Sequence, residues 1–395
     1  MTQPTGTQAT GFPRVGMVGG GQLSRMTAAP AAALGVGFRV LALDPEESAA
    51  QVAGDVVLGR HDDLDALLRL ADGVAVVTFD HEHVPPDHLR ALEAEGVAVR
   101  PGPAALVHAQ DKIAMREALD RAGLPSPAWR HVASADELEA VGSALGWPLI
   151  LKVSRGGYDG RGVWVVDDAA SARRVMEETS LAPGARWLAE ERVPFTRELA
   201  AQVARSPHGQ AVAYPVVRTV QVDGMCSEVV APCPDLADDH ALEAQRIALE
   251  IARALDVTGM LAVELFDTPQ GVLVNELAMR PHNSGHWTID GAVTSQFENH
   301  LRAVLDLPLG DPGAVAPWAV MVNIVGPRET AGLPSLYEAY RHVLARDPGL
   351  KVHLYGKEMR PGRKLGHVTV VGEDLDDLLA RAHHAADYFT GVIDE

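Results

Sequence analysis

Cys226 and Cys233 are the only cysteines among the 395 residues. Neither their number nor their spacing supports a disulfide framework or a zinc site, so a reducing, cytoplasmic compartment is expected. Long apolar runs are missing as well. None reaches the roughly 18 residues needed to span a bilayer, and no membrane partner is expected. Positive charge is scarce: 34 Lys and Arg against 53 Asp and Glu leave a formal net charge of −19. That balance repels nucleic-acid phosphates and argues against non-specific nucleic acid binding. Any anionic ligand must therefore be gripped by local clusters of positive charge. There is no internal repeat and no heptad pattern. Residues 1–13 lack a basic segment followed by an apolar core, and they read as a disordered leader rather than a signal peptide. The whole chain is 47% hydrophobic and 22% charged, the profile of a globular protein with ample core. The length suggests about two to three domains.

One stretch concentrates chemistry. Asn275-Glu276-Leu277-Ala278-Met279-Arg280-Pro281-His282-Asn283-Ser284-Gly285-His286-Trp287-Thr288 holds a carboxylate, a carboxamide, a guanidinium and two imidazoles around a Ser-Gly turn. It follows a hairpin expected from Leu261–Phe266 and Gly271–Val274, joined by the turn formers Asp267 to Gly271. That hairpin sets Glu264 beside Glu276, with Asn283 close behind. Two adjacent carboxylates repel unless a cation lies between them, and hard oxygen ligands suit Mg²⁺. Solvated acids on a surface hairpin are the plainer alternative.

The chain opens with a βαβ unit: strand Arg14–Val18, the loop Gly19-Gly20-Gly21-Gln22-Leu23-Ser24, a helix through Ala33, and strand Arg39–Asp44. Gly19, Gly21, Ser24 and Asp44 nearly fit a dinucleotide fingerprint. NAD binding, another substrate contact and a purely structural turn all remain open. A strand at Val74–Phe79 places Asp80-His81-Glu82-His83 at its carboxyl end, where open parallel sheets gather ligands. Glu82 is a candidate contact, or the four residues cap the next helix. Val97–Val99 is a further strand, and the first domain boundary is expected near residue 111.

In the centre, helices are expected over Ile113–Ala122 and Ala135–Leu145. Leu149–Val153 is a strand with Lys152 inside an apolar run. A lysine there is costly unless its ammonium reaches an anion or snorkels to the surface. Ser154 to Val163 follows, with glycines at 156, 157, 160 and 162 and charge from Arg155 and Arg161. Its backbone N–H groups can wrap phosphate oxygens. It is not a Walker A loop, because the lysine precedes the glycines. Arg186–Val193 reads as a strand carrying Glu190 and Glu191, and Glu198 starts another. Beyond a linker at Leu309–Gly313, strands at Val320–Gly326, Lys351–Tyr355 and Lys364–Val371 surround a basic loop, and a helix over Asp374–Tyr388 closes the chain.

In order, these segments resemble the ATP-grasp superfamily, and within it the N5-carboxyaminoimidazole ribonucleotide synthetases. The resemblance runs from about residue 14 to about residue 390. It is carried by Gly19 to Leu23, Gly156 to Gly162, Asn275-Glu276, Arg280 to Thr288, and Arg360-Pro361-Gly362-Arg363-Lys364-Leu365-Gly366-His367. It implies an α/β (α+β) ATP-grasp fold with an N-terminal Rossmann-like, pre-ATP-grasp domain over 14–111. The ATP-grasp domain follows over 112–308 with a lid at about 150–208, and a small β-rich C-terminal domain over 309–395. Four positions depart from the family pattern: Ser24 for Gly, Val163 for Gln or Asn, Gln221 for a nucleotide-side His, and Met279 for Pro.

The resemblance also implies a reaction. ATP phosphorylates bicarbonate to carboxyphosphate, which delivers CO₂ to the exocyclic amine of 5-aminoimidazole ribonucleotide. Lys112 and Lys152 would neutralise ATP phosphates under a lid of Gly157, Tyr158, Asp159, Gly160, Arg161 and Gly162. Glu190, Glu191, Arg192 and Val193 would frame adenine, with Glu198 at the ribose and Gln221 and Asn275 on the nucleotide side. Glu264 and Glu276 would hold Mg²⁺ between the phosphates. Arg280, His282 and Asn283 would steady bicarbonate. Gln22, Leu23, Glu82, Tyr158, Asp159 and Arg161 would meet the ribonucleotide, whose 5′-phosphate would fall to Lys357, Arg360, Arg363 and Lys364. Lys357 is grouped with the catalytic residues. A homodimer is implied, and biotin is not, since a Met-Lys-Met-like carrier segment is absent. An NAD-binding oxidoreductase would leave the Glu264/Glu276 pair and the late basic loop without a purpose, and a non-catalytic nucleotide sensor would not need a charge-dense stretch aimed at a small acid.

Overall fold

The computed structural model describes residues 11–157, 160–328 and 335–393. The expectations for Tyr158 and Asp159, and for residues 1–10 of the leader, lie outside them.

Strands β1 (Arg14–Val18), β2 (Gly37–Ala42), β3 (Asp55–Leu58) and β4 (Val76–Phe79) form a parallel sheet ordered β3-β2-β1-β4. β1 and β4 are apolar along nearly their whole length, as a sheet covered on both faces requires. Sequence reading misses β3, whose Asp55 and short length hide it. Val97–Val99 contributes only an isolated bridge from Val99 to Val77. The helices Gln22–Ala33 and Leu64–Ala71 follow β1 and β3.

A second, antiparallel sheet uses β5 (Trp129–Val132), β6 (Leu149–Val153), β7 (Val163–Val166) and β8 (Trp187–Glu191), in the order β5-β8-β6-β7. Its strands span 129–191, so this small unit begins and ends earlier than the expected lid at 150–208. The reason is pairing. β9 (Arg197–Arg205) leaves it and lies against β13 in the large sheet.

Among the described residues that large sheet has nine strands, eight in a continuous order and one more paired to β9 beside it. β10 (Ala211–Ala213), β11 (Val217–Val222), β12 (Met225–Ala231), β13 (Gly259–Thr268) and β14 (Gly271–Ala278) join β9, and β15 (Trp318–Val325), β16 (Lys351–Leu354) and β17 (Lys364–Gly372) extend it in the order β14-β13-β9-β11-β12-β15-β17-β16. The β-rich C-terminal unit is thus fused to the central sheet through β12 and β15. Helix Asp238–Ala254 covers it with Ala244, Ile247, Ala248, Ile251 and Ala252, the spacing of one buried helical stripe.

The hairpin expected around Glu264 is present, and its register pairs Glu264 with Glu276. It also contains something the sequence conceals. Leu265 pairs with Val274, so Asn275 is an extra residue in β14. This β-bulge re-aims the strand, and two consecutive side chains, Asn275 and Glu276, both serve the same cleft.

Candidate active site

The three units enclose a cavity of about 1490 Å³. One wall of it is built from one helix and three strands. Asp111 caps helix Lys112–Ala122, accepting from the N–H groups of Ile113 and Ala114. Lys112 and Arg116 are one turn apart and share a face. Lys112 Nζ pairs with Glu276 Oε1. Arg116 is fully buried; its Nε donates to Glu190 Oε1 at 2.6 Å, and its two terminal nitrogens donate to the carbonyls of Val274 and Asn275, both at 2.9 Å. Lys152, from β6, reaches Glu190 Oε2 at 2.7 Å and Asn275 Oδ1 at 3.2 Å. Burial opposes charge on Glu190, but Arg116 and Lys152 outweigh it and hold the carboxyl at about 2. Burial also pulls the Lys152 ammonium down, against Glu190. The lysine in the apolar run therefore neither snorkels nor stands alone.

Glu264 and Glu276 show the opposite balance. Burial, with repulsion from Glu276 and then Glu198, pushes the Glu264 carboxyl up to about 7. Burial acts likewise on Glu276, but Lys112 wins and holds it low. A pair of hard oxygen donors kept together against repulsion fits Mg²⁺, which takes one or two carboxylates and completes its shell with phosphate and water. Among the described residues no cluster of three or more His, Cys, Asp or Glu could cage a metal by itself.

The other end of the stretch turns toward the first unit. Arg280 Nε lies 2.9 Å from Glu82 Oε1. His282 caps the turn Asn283–Gly285 and stands 3.5 Å from Glu264 Oε1. Burial, then Arg280, pulls its imidazole down to about 3. The glycine loop after β1 is filled from within. Asp80 Oδ2 accepts from Gly21 N–H at 2.8 Å, and a Cβ on Gly19 would fall 1.7 Å from Asp80 Oδ1. A carboxylate thus occupies the position a dinucleotide pyrophosphate would need. The next helix, Pro86–Ala94, takes no side-chain cap from Asp80 to His83.

The basic loop folds onto this edge. Ser48 Oγ donates to Tyr355 O at 2.6 Å and Gln51 Nε2 to Gly356 O at 2.9 Å. Lys357 Nζ bonds Gln22 Oε1. Burial, then Arg363, lowers the Lys357 ammonium to about 8. Arg360 turns to Glu358 at 2.6 Å, and Arg363 donates to the Glu358 carbonyl at 3.3 Å.

Of the residues singled out from sequence, the cavity is lined by Gln22, Leu23 and Glu82 from the first unit and by Lys112, Lys152, Gly157 and Gly160. Glu190, Glu191, Arg192, Val193, Glu198 and Gln221 follow, then Glu264, Asn275, Glu276, Arg280, His282, Asn283 and Lys364. Arg161, Gly162, Lys357, Arg360 and Arg363 are not among its walls. Sequence reading missed Arg116, Asp111, Gln202 and Gln296. Asp111 also takes Arg155 Nε at 2.7 Å, tying the glycine loop to the helix. Gln202 left a signal, a polar residue inside the apolar strand Leu199–Val203. Arg116 left none, since an arginine one turn into a helix usually faces water.

Residues 12–110 match the ribonucleotide synthetase preATP-grasp domain, 117–297 the ATP-grasp domain, and 319–381 the phosphoribosylaminoimidazole carboxylase C-terminal domain. The N5-carboxyaminoimidazole ribonucleotide synthase of Mycobacterium tuberculosis is 54% identical over 379 residues, covering 96% of this chain and 88% of the relative. The carboxyaminoimidazole ribonucleotide synthase of Aspergillus clavatus complexed with ATP superposes with a TM-score of 0.87 at 32% identity, over 97% and 99% of the two chains. The Aspergillus clavatus N5-carboxyaminoimidazole synthase in complex with ADP and 5-aminoimidazole ribonucleotide gives 0.86 at 31%, over 96% and 98%.

Proposed function

The chain belongs to the N5-carboxyaminoimidazole ribonucleotide synthase family, ATP-grasp ligases of purine biosynthesis, and from that premise we propose how its cleft carries out the ATP-dependent carboxylation of 5-aminoimidazole ribonucleotide. The carrying observation is the junction at Asn275–Asn283, where the Glu276 carboxylate held by Lys112 and the Arg280 guanidinium held by Glu82 meet Glu264, whose carboxyl is raised to about 7, along one cavity wall. Bicarbonate is the co-substrate. Its oxygen takes the γ-phosphoryl group of ATP, ADP leaves, and the carboxyl of the resulting carboxyphosphate passes to the exocyclic amine as phosphate departs.

Lys112 and Lys152 neutralise phosphate oxygens, while Arg116 and Glu190 hold Lys152 in place. The glycine loop that carries Gly157, Gly160, Arg161 and Gly162 takes the lid role, keeping water from an acid anhydride that hydrolyses readily. Glu190 to Val193 edge the adenine, with Glu198 at the ribose and Gln221 beside the nucleotide. Glu264 and Glu276 would hold Mg²⁺, which supplies charge neutralisation between the phosphates. Arg280, His282 and Asn283 orient the bicarbonate. Gln22, Leu23 and Glu82 meet the ribonucleotide, and Lys357, Arg360, Arg363 and Lys364 its 5′-phosphate, which answers the need for local positive charge in a chain of net charge −19. The buried, unbridged cysteines support a cytoplasmic setting, and the family resemblance supports a homodimer. No helix is long and apolar enough to cross a membrane among the described residues.

The test is ADP release with ATP, Mg²⁺ and bicarbonate, with and without 5-aminoimidazole ribonucleotide. Stimulation by the ribonucleotide, with bicarbonate required, is the expected result. Turnover indifferent to both would end the reading.

A further inference from the structure

The Ser284-Gly285 turn is packed between two buried glutamines. Gln202, from β9, is 2% exposed, and Gln296, the first residue of helix Gln296–Val304, is 0% exposed. Gln296 Oε1 accepts from the His282 N–H at 2.9 Å. Its Nε2 donates to the His282 carbonyl at 2.8 Å and to His286 Nδ1 at 3.1 Å. A backbone donor and a backbone acceptor of the same residue fix which way the amide points. His286 Nδ1 is then an acceptor, and its proton sits on Nε2.

The second glutamine acts one bond further away. Gln202 Nε2 donates to Ser284 Oγ at 3.1 Å, and Ser284 Oγ lies 2.9 Å from His282 Nδ1. The Ser284 N–H also points at that nitrogen, at 3.4 Å. His282 Nδ1 is therefore the acceptor, and its Nε2 carries the proton. The packing leaves no slack. A Cβ on Gly285 would lie 2.4 Å from both amide atoms of Gln202 and 2.5 Å from Gln296 Oε1.

We propose that Gln296 is a positioning residue for the acid-binding end of the cleft: it clamps the main chain of His282 and, together with Gln202 acting through Ser284, presents His282 and His286 as Nε2–H donors. Both imidazoles border the cavity. Fixed N–H donors there orient the oxygens of a small anion without removing its proton. The proposal rests on the reading that this cleft activates bicarbonate. A glutamine that merely filled space would be replaceable by a residue of equal length and no amide.

Gln296→Met keeps the length and deletes the amide. Gln296→Glu keeps the acceptor for the His282 N–H but cannot donate to the carbonyl or to His286. With bicarbonate and ATP varied separately, Gln296→Met raises the bicarbonate KM about tenfold or more, as expected for lost buried hydrogen bonds, and leaves the ATP KM within about twofold. A wild-type bicarbonate KM, or an equal rise in both constants, overturns the proposal. The ¹⁵N shifts of the imidazoles in unliganded protein give a reading independent of turnover. Wild-type protein should show unprotonated Nδ1 in both residues, and Gln296→Met should shift the His286 signals. A protonated Nδ1 on His282 or His286 in the wild type overturns the proposal even if the variants fail to fold. Absence of bicarbonate-dependent turnover in the wild type removes the functional reading instead, and the imidazole shifts still decide whether Gln296 sets the tautomer.

Discussion

Arg116 Nε lies 2.6 Å from Glu190 Oε1, and neither side chain is more than 2% exposed. The pair is the keystone of one cavity wall, because the same guanidinium also ties down the carbonyls of Val274 and Asn275 beside Glu276. Removing Arg116 leaves the buried Glu190 carboxylate to Lys152 alone and takes the donors from two carbonyls. Arg116→Met should cost about 3–5 kcal/mol in denaturant unfolding. The sign with pH is set by Glu190, whose carboxyl is depressed to about 2. Its contribution is complete above the unfolded value near 4.5 and disappears as pH falls toward the folded one. Arg116→Met should therefore move acid unfolding to higher pH; an unchanged acid midpoint would refute this.

Glu264 is raised instead, so its ionisation works against the fold. Between the ordinary value of 4.5 and the folded value of about 7 its stability penalty grows as pH rises, and above that it stays constant. Without nucleotide or metal, Glu264→Gln should melt at a higher temperature than wild type at about pH 8, with the difference vanishing near pH 4. With ATP and Mg²⁺ the same variant should lose turnover. Scanning calorimetry and ADP release check the two halves separately.

Lys357 titrates within reach of ordinary assays. Its ammonium, lowered to about 8 by burial and Arg363, loses charge as pH climbs through that value. The KM for the ribonucleotide should rise between about pH 7 and about pH 9, and Lys357→Met should raise it at pH 7 and flatten that limb of the profile. A limb of the same shape in the variant would assign the titration elsewhere.

His383 on the closing helix sits 2.7 Å from Glu228, which Arg218 also holds at 2.8 Å. The Glu228 hydrogen bond raises the imidazole from its usual value. That stability is present below the unfolded value near 6.5 and lost as pH rises through the folded one. His383 is 44% exposed, so solvent screening limits the gain to about 1 kcal/mol or less. His383→Gln should destabilise at about pH 6 and hardly at all at about pH 9.

Much of this was legible in local pattern. Turn formers between apolar runs located the β13–β14 hairpin, and its pairing followed from the turn. Lys152 was conspicuous because an ammonium in an apolar strand demands an anion. The lid glycines and the basic loop stood out by composition. Three things were not legible. β3, four residues long and opening on Asp55, is too short to mark itself. The pairing of β9 with β13, and of β12 with β15, joins strands dozens of residues apart, which no local periodicity encodes. Arg116 and Gln296 look like surface residues until the fold buries them.

The sequence by itself determined which chemical groups are present and in what order: cations ahead of a glycine loop, two carboxylates on one hairpin, and a late basic loop in an acidic chain. Those are properties of residue type and near-neighbour spacing. Only the tertiary structure decided what each group touches. The bulge at Asn275 turns two successive side chains to one cleft, burial splits three carboxylates of similar intrinsic acidity between about 2 for Glu190, a value held low for Glu276 and about 7 for Glu264, and two glutamines far apart in sequence close on one turn. Acidity and hydrogen-bond direction depend on desolvation and on neighbours within a few ångströms, and the chain acquires those neighbours only when it folds.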